Sequence, residues 1–321
     1  MTTTSAKKKI AILDDYQGAA LTVADWSSLK ERAEIVVFGD HLDDEDAIVD
    51  RLRDFDVVCA MRERTPFRRT LMERLPKLRL IASTGARNAA IDANAAQELG
   101  IEVVHTGYTS TPTIEFTWAM ILASMRNIAR ENASLRDGGW QVGIGSDLAG
   151  KTLGLLGLGN IGSEVARIGL AFGMRVQAWS QNLTPEKAAA HGVECVSKEA
   201  LFSTSDIVSI HLILSQRTRG LIGAQELALM KPTARLVNTS RGPIIVEQDL
   251  VDVLSRGAIA GAAIDVYDHE PLPHDHPFRV LPNVLATPHI GYVTEGLYHT
   301  FYQDSVSNIV NWLDRQAGAV A

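Results

Sequence analysis

The sequence predicts an α/β fold of two domains, each built on a parallel sheet. Three observations carry that reading. The chain is 321 residues long, which fits two domains at roughly 100–200 residues each. Short β-rich runs alternate with single helical stretches, the pattern of parallel strands joined by right-handed crossovers. One run, Gly157-Leu158-Gly159-Asn160-Ile161-Gly162, stands between an apolar strand signal and a helical one, where a nucleotide-binding sheet carries its glycine turn.

The first hundred residues predict strands at Ile10–Leu13, Ile35–Phe38, Val57–Ala60, Leu80–Ala82 and Glu102–Val104. Helices are expected between them at Asp43–Arg53, Arg69–Leu75 and Asp92–Leu99, with Asp92 as N-cap and Gly100 as the stop. Thr111-Pro112 reads as an N-cap and first helical residue. The helix it opens is expected to run to about Asn132 and is apolar on nearly every face, so it is expected to be buried between layers. Residues 137–147 form a Gly-rich connector. A second alternating set follows, with strands expected at Thr152–Leu156, Arg175–Trp179, Ile207–Leu212, Arg235–Asn238, Ala260–Ile264 and Val284–Ala286. Helices are expected over Ser163–Phe172, from Thr184-Pro185, and from Thr294 to about Gln316. No internal repeat or low-complexity tract is present.

Composition narrows the function classes. The chain is 46% apolar and 21% charged, the balance of an ordinary globular enzyme. A net charge of −7 argues against non-specific binding to nucleic acid or anionic membrane. The apolar run after Lys7–Lys9 is only four residues, too short for a signal segment, and no long uncharged apolar run reads as a membrane span. Cys59 and Cys195 are the only cysteines, too few for a disulfide framework or a Cys-rich metal site. No metal is expected, and a reduced, cytoplasmic location is.

Each glycine of the loop has a task. Gly157 allows the tight turn, Gly159 lets the backbone approach a pyrophosphate, and Gly162 lets helix and strand pack closely. The anion would sit at the helix N-terminus, against Asn160 and Ile161. A ribose-binding acid is normally found about 20 residues on, where this chain has Ser180-Gln181-Asn182. These side chains suit a ribose hydroxyl or a 2′-phosphate, so NAD and NADP both stay open.

Three later stretches end strand signals with chemically capable residues. In Asn238-Thr239-Ser240-Arg241-Gly242, Arg241 could fork onto a carboxylate and a carbonyl oxygen, or pair with Glu247. Asp265 through Glu270-Pro271 supplies the acids Asp265, Asp268 and Glu270, and Thr287-Pro288-His289-Ile290-Gly291 a histidine. A carboxylate bonded to a histidine fixes its tautomer and favours the protonated ring a general acid needs. Spacing alone does not establish that Glu270 and His289 pair.

Together these stretches, with Leu148 to Gly162 and Leu229 to Gly242, resemble the D-isomer-specific 2-hydroxyacid dehydrogenase family, from about Val57 to the C-terminus. The resemblance implies two Rossmann-like domains, the nucleotide-binding one (106–289) inserted into a flavodoxin-like substrate domain (1–105 and 290–321). It implies Arg241, Glu270 and His289 as catalytic residues. Asp265 and Gly291 would lie by the nicotinamide, with His211, Thr218, Thr239 and Ser240 elsewhere along the cofactor. The Thr84-Gly85-Ala86-Arg87 loop would hold a substrate carboxylate, and Arg62 and Arg64 follow a strand end that would face the same cleft; the alternative for these arginines is a solvated, salt-bridged loop. The chain departs from the family at Ser180, at Ile213 in place of a proline, and at Arg87 in place of a glycine. The implied activity is reversible reduction of a small 2-oxo acid to a D-2-hydroxy acid by a homodimer. The alternative is a non-enzymatic NAD(H)-sensing interaction protein of the same fold, like the corepressors of this superfamily.

Overall fold

The computed structural model describes residues 7–318. They divide into two compact units, one comprising residues up to Thr109 with those from Val293 onward, the other Ser110–Tyr292.

The first unit carries strands β1 (Lys8–Ile12), β2 (Ala33–Val37), β3 (Val57–Ala60), β4 (Leu80–Ser83) and β5 (Glu102–His105), all parallel, in the order β2-β1-β3-β4-β5. That is the flavodoxin-like order, whose direction reverses between β1 and β3. Strands β3 and β4 are buried at every residue, as expected of a parallel sheet covered on both faces. Asp92 caps the helix Ala93–Glu98 by accepting from the Ala95 N–H, and Gly100 takes the left-handed conformation past its end. The helix expected over Arg69–Leu75 is shorter, Arg69–Met72. The helix Glu295–Gly318 completes the unit, burying Phe301, Tyr302, Ile309 and Trp312.

The second unit holds β6 (Thr152–Leu156), β7 (Arg175–Trp179), β8 (Glu194–Cys195), β9 (Ile207–Ile210), β10 (Arg235–Asn238), β11 (Gly261–Ile264) and β12 (Val284–Ala286). All pairings are parallel, in the order β12-β11-β10-β9-β6-β7-β8. This is the Rossmann order with one added strand, and its switch point lies between β6 and β9. The two-residue β8 gives no periodicity to read, and the strand expected to reach Leu212 stops at Ile210.

The long helix differs from expectation. It runs from Thr111 to Met125 with Ser110, not Thr111, at the N-cap, and a second helix follows at Ile128–Arg136. Asn127 breaks it by adopting a left-handed conformation (φ 52°), which asparagine tolerates better than most residues. The first segment buries Ile114, Trp118, Met120, Ile121 and Met125, whereas Glu115 and Ala119 are exposed. The second segment buries nothing, and the connector beyond it leaves Trp140 73% and Ile144 97% exposed. Cys59 is buried, which pushes its thiol up to about 12, and both cysteines are free. Among the described residues no helix is long and apolar enough to cross a membrane.

Candidate active site

The glycine loop leaves β6 at the switch point. Gly157 has φ 101°, and a Cβ there would meet the His211 carbonyl oxygen. A Cβ at Gly162 would strike the Gly157 carbonyl, so this glycine serves the close packing of helix on strand. A Cβ at Gly159 would meet nothing within 4 Å. The fold itself therefore does not need glycine at 159, whereas an approaching ligand would. Gly159 caps the helix Asn160–Ala171, and the Asn160 and Ile161 N–H groups find no acceptor among the described residues. Open space, free donors and a helix dipole suit a pyrophosphate.

Other proposed cofactor residues ring this end of the sheet. Ser180 is half-buried and Gln181 exposed, directly after β7. His211 follows β9, donates its N–H to the Leu156 oxygen, and has Nε2 2.9 Å from Ser209 Oγ. Burial pushes its imidazole down to about 4. Thr239 is buried against Thr117 (Oγ1–Oγ1 2.7 Å), and Ser240 Oγ donates to the Leu212 oxygen at 2.5 Å. The Thr218 hydroxyl donates to the Ile213 oxygen and accepts from the Ser215 N–H, which closes its own loop. Ile213 is 87% exposed.

Glu270 and His289 meet through their side chains, and backbone contacts link the turn that carries Arg241 to the Glu270 segment. Asn238, at the end of β10, holds the turn with its amide, donating to the Arg241 oxygen and accepting from the Ser240 N–H, both at 3.0 Å. Arg241 Nη1 donates to the Ser240 oxygen at 2.7 Å. Gly242 then packs so tightly on Tyr267 that any Cβ would collide with its backbone. Tyr267 in turn gives its N–H to Glu270 Oε1 (2.9 Å) and its hydroxyl to the Thr287 oxygen (2.8 Å). Glu270 Oε2 lies 2.5 Å from His289 Nδ1. Glu247, the alternative partner weighed for Arg241, accepts from the Asp268 N–H and lies 3.0 Å from His276 Nε2.

His289 is itself in the left-handed region (φ 52°), a strained position that the surroundings must hold. Asp265 holds it. This carboxylate is 1% exposed and accepts from Thr287 Oγ1 (2.7 Å), Ile290 N–H (2.9 Å) and Gly291 N–H (2.8 Å). Burial raises its pKa against the pull of those donors. Both Asp265 oxygens are thus engaged by the histidine loop, a positioning role that sequence alone did not reveal. The Tyr292 ring stacks edge-on against His289, with centroids 5.6 Å apart.

In the first unit, the loops after β1 and β3 meet at that sheet's own switch point. Arg62 has φ 52°, stacks over Tyr108 at 5.1 Å, and fills the space a side chain at Gly85 would need. Arg64 stacks over Tyr16 at 4.8 Å. Two donors of the Thr84–Arg87 loop are spent internally, Thr84 N–H on the Ala60 oxygen and Gly85 N–H on Thr106 Oγ1. The N–H groups of Ala86 and Arg87 have no acceptor among the described residues, and the Arg87 side chain is exposed. A node that no local sequence pattern signals lies in the same unit. Asp14, itself left-handed (φ 57°), accepts from Thr65 Oγ1 at 2.9 Å and lies 2.7 Å from His41 Nδ1, and its hydrogen bond raises the His41 pKa. Among the described residues no cluster of three or more His, Cys, Asp or Glu could hold a metal.

Residues 118–291 match the family model described as D-isomer specific 2-hydroxyacid dehydrogenase, NAD binding domain. The chain is 44% identical over 234 residues to a glyoxylate reductase of Aeropyrum pernix, covering 70% of each. It is 30% identical to a hydroxypyruvate reductase of Blautia hydrogenotrophica, covering 95% of this chain and 97% of that one. A crystal structure of a phosphoglycerate oxidoreductase from Vibrio cholerae superposes with TM-score 0.91 at 36% identity, covering 96% of this chain and 99% of the other.

Proposed function

The chain belongs to the D-isomer specific 2-hydroxyacid dehydrogenase family, and we propose that it interconverts a small 2-oxo acid and a D-2-hydroxy acid with His289 as the acid and base. The observation that carries this reading is the 2.5 Å contact between His289 Nδ1 and Glu270 Oε2. With Nδ1 facing a carboxylate, Nε2 is the nitrogen turned to substrate. A bound nicotinamide supplies the hydride for C2 of the oxo acid. His289 Nε2 gives a proton to the carbonyl oxygen in reduction and takes it back in oxidation. Glu270 fixes the ring and balances the charge of its protonated form, while its other oxygen is anchored on the Tyr267 N–H. Arg241 binds the substrate carboxylate and polarises the carbonyl.

The same reading places the pyrophosphate at Gly157–Gly162 and the ribose at Ser180 and Gln181. His211, Thr218, Thr239, Ser240, Asp265 and Gly291 frame the rest of the cofactor. With no carboxylate after β7, either NAD or NADP fits. In the first unit, Arg62, Arg64 and the Thr84–Arg87 loop are the groups suited to a substrate anion. A second copy of the chain is the proposed cover for the helix Ile128–Arg136 and its connector, whose apolar residues are exposed. The two free cysteines suit the cytoplasm.

A steady-state matrix tests the activity: NADH and NADPH, each against glyoxylate, hydroxypyruvate, pyruvate and bulkier 2-oxo acids. Turnover is expected with at least one pair. No turnover in folded protein that binds cofactor would overturn the proposal.

A further inference from the structure

Two glutamate–histidine pairs hold one short segment of the second unit. Glu270 Oε1 accepts from the Tyr267 N–H, and its Oε2 lies 2.5 Å from His289 Nδ1. The next N–H along the chain, that of Asp268, goes to Glu247 Oε2 at 3.2 Å, and Glu247 Oε1 lies 3.0 Å from His276 Nε2. The first pair is the proposed acid–base couple. The second carries no proton of that reaction.

The contacts of His276 fix its tautomer. Its Nδ1 accepts from the Phe278 N–H at 3.2 Å, so the ring proton sits on Nε2 and is donated to Glu247. His276 thereby ties Glu247 to the short turn Pro277–Arg279, whose Phe278 ring lies 4.8 Å from the His276 ring and 6.3 Å from the Tyr267 ring. Arg279 closes this stretch by donating to the Pro273 and Leu272 oxygens. Glu247 opens the helix Glu247–Ser255, and the residue before it is pinned by the Val246 N–H on the Ile222 oxygen at 2.8 Å. Both members of the second pair therefore stand on fixed elements.

A carboxylate in a first helical turn also complements the helix dipole. That role accounts for Glu247 alone. It does not account for a part-buried histidine whose tautomer is set to face it, nor for the Asp268 N–H on its other oxygen. The placement also has an electrostatic cost, since burial and Glu247 together push the Asp268 carboxyl up, against the pull of Arg219.

We propose that Glu247 and His276 are positioning residues for the acid–base couple, a reading that rests on the proposed roles of Glu270 and His289. Holding the Asp268 N–H fixes the peptide that follows Tyr267, so the segment that anchors Glu270 cannot turn away from it. The contact between Glu270 Oε2 and His289 Nδ1 is kept short as a result.

The test separates the two bonds of His276. His276→Asn keeps an acceptor for the Phe278 N–H but is too short to reach Glu247. His276→Gln reaches Glu247 with its amide N–H and gives up the acceptor for Phe278. The readout is the proton magnetic resonance spectrum of the full chain, in which the Nδ1 proton of His289 is expected far downfield and is assigned by its loss in His289→Asn. Glu247→Ala and His276→Asn are expected to shift or broaden that resonance and to lower kcat at least about tenfold, with the KM for cofactor unchanged. His276→Gln is expected to keep both the resonance and kcat. If Glu247→Ala fails to fold, His276→Asn, whose turn stays capped, carries the test. An unchanged resonance or kcat in a folded Glu247→Ala or in His276→Asn overturns the proposal. So does an equal change in His276→Asn and His276→Gln, or a parent without the resonance, since the contact to be positioned is then absent. A parent that shows the resonance yet reduces no 2-oxo acid fails the proposed reaction alone, and the spectra still decide the positioning role.

Discussion

Replacing Asp265 by asparagine separates two roles for a residue that family resemblance placed beside the cofactor. The structure gives its carboxylate three donors: Thr287 Oγ1 and Ile290 N–H on Oδ1, and Gly291 N–H on Oδ2. An asparagine keeps one acceptor oxygen. If that oxygen serves Thr287 and Ile290, the amide nitrogen faces the Gly291 N–H, donor against donor. The loss is one charge-assisted hydrogen bond, about 1.5–3 kcal/mol, and a buried N–H left unmade, about 1–3 kcal/mol. Removing a charge that burial disfavours offsets part of this, leaving roughly 2–4 kcal/mol. For a unit of this size that lowers Tm by roughly 5–15 °C. The same bonds hold His289 in its left-handed conformation, and a shift of about 1 Å in a catalytic group costs about 10²-fold in rate. Thermal melts and steady-state kinetics on Asp265→Asn are therefore expected to show both losses together. An unchanged Tm and kcat, with only the KM for cofactor raised, would refute the loop-holding role.

Further outcomes follow from the same geometry. Gly159→Ala is expected to leave Tm within about 2 °C yet weaken cofactor binding at least tenfold, whereas Gly162→Ala lowers Tm; fluorescence titration and melts on both variants check this. His211 is held at about 4 in the folded chain against an ordinary 6.5, so the unfolded chain binds its proton first as pH falls. Its contribution is therefore present above pH 6.5 and lost between 6.5 and 4, up to about 3 kcal/mol, and urea melts of His211→Asn should show a flatter slope across that window. Ile144→Asp, at a side chain 97% exposed in the connector proposed to be covered by a second copy, is expected to shift sedimentation from the proposed dimer toward monomer with the monomer's Tm little changed.

The parallel sheets were legible because β-branched runs and glycine turns are local signals. Thr152–Leu156 and Arg175–Trp179 fall where the sequence put them, and the glycine loop follows at the expected strand end. The break at Asn127 was not legible, because every neighbour favours helix and the partners of its side chain, Ile144 and Arg235, are 17 and 108 residues away. The node of Asp14, His41 and Thr65 escaped for the same reason: its members belong to three different loops. The Arg62 guanidinium fills the space that a side chain at Gly85 would need, a contact between two separate loops that no local pattern signals. Asp265 could be picked out as an acid at a strand end, but the direction of its oxygens, into the histidine loop, depends on the fold.

His289 is the group proposed to move the proton, and kcat of His289→Ala with the best 2-oxo acid tests that role most directly. A fall of at least 10²-fold is expected, with cofactor affinity retained, since the glycine loop proposed to bind the pyrophosphate is untouched. A variant within a few-fold of the parent kcat would contradict the assignment.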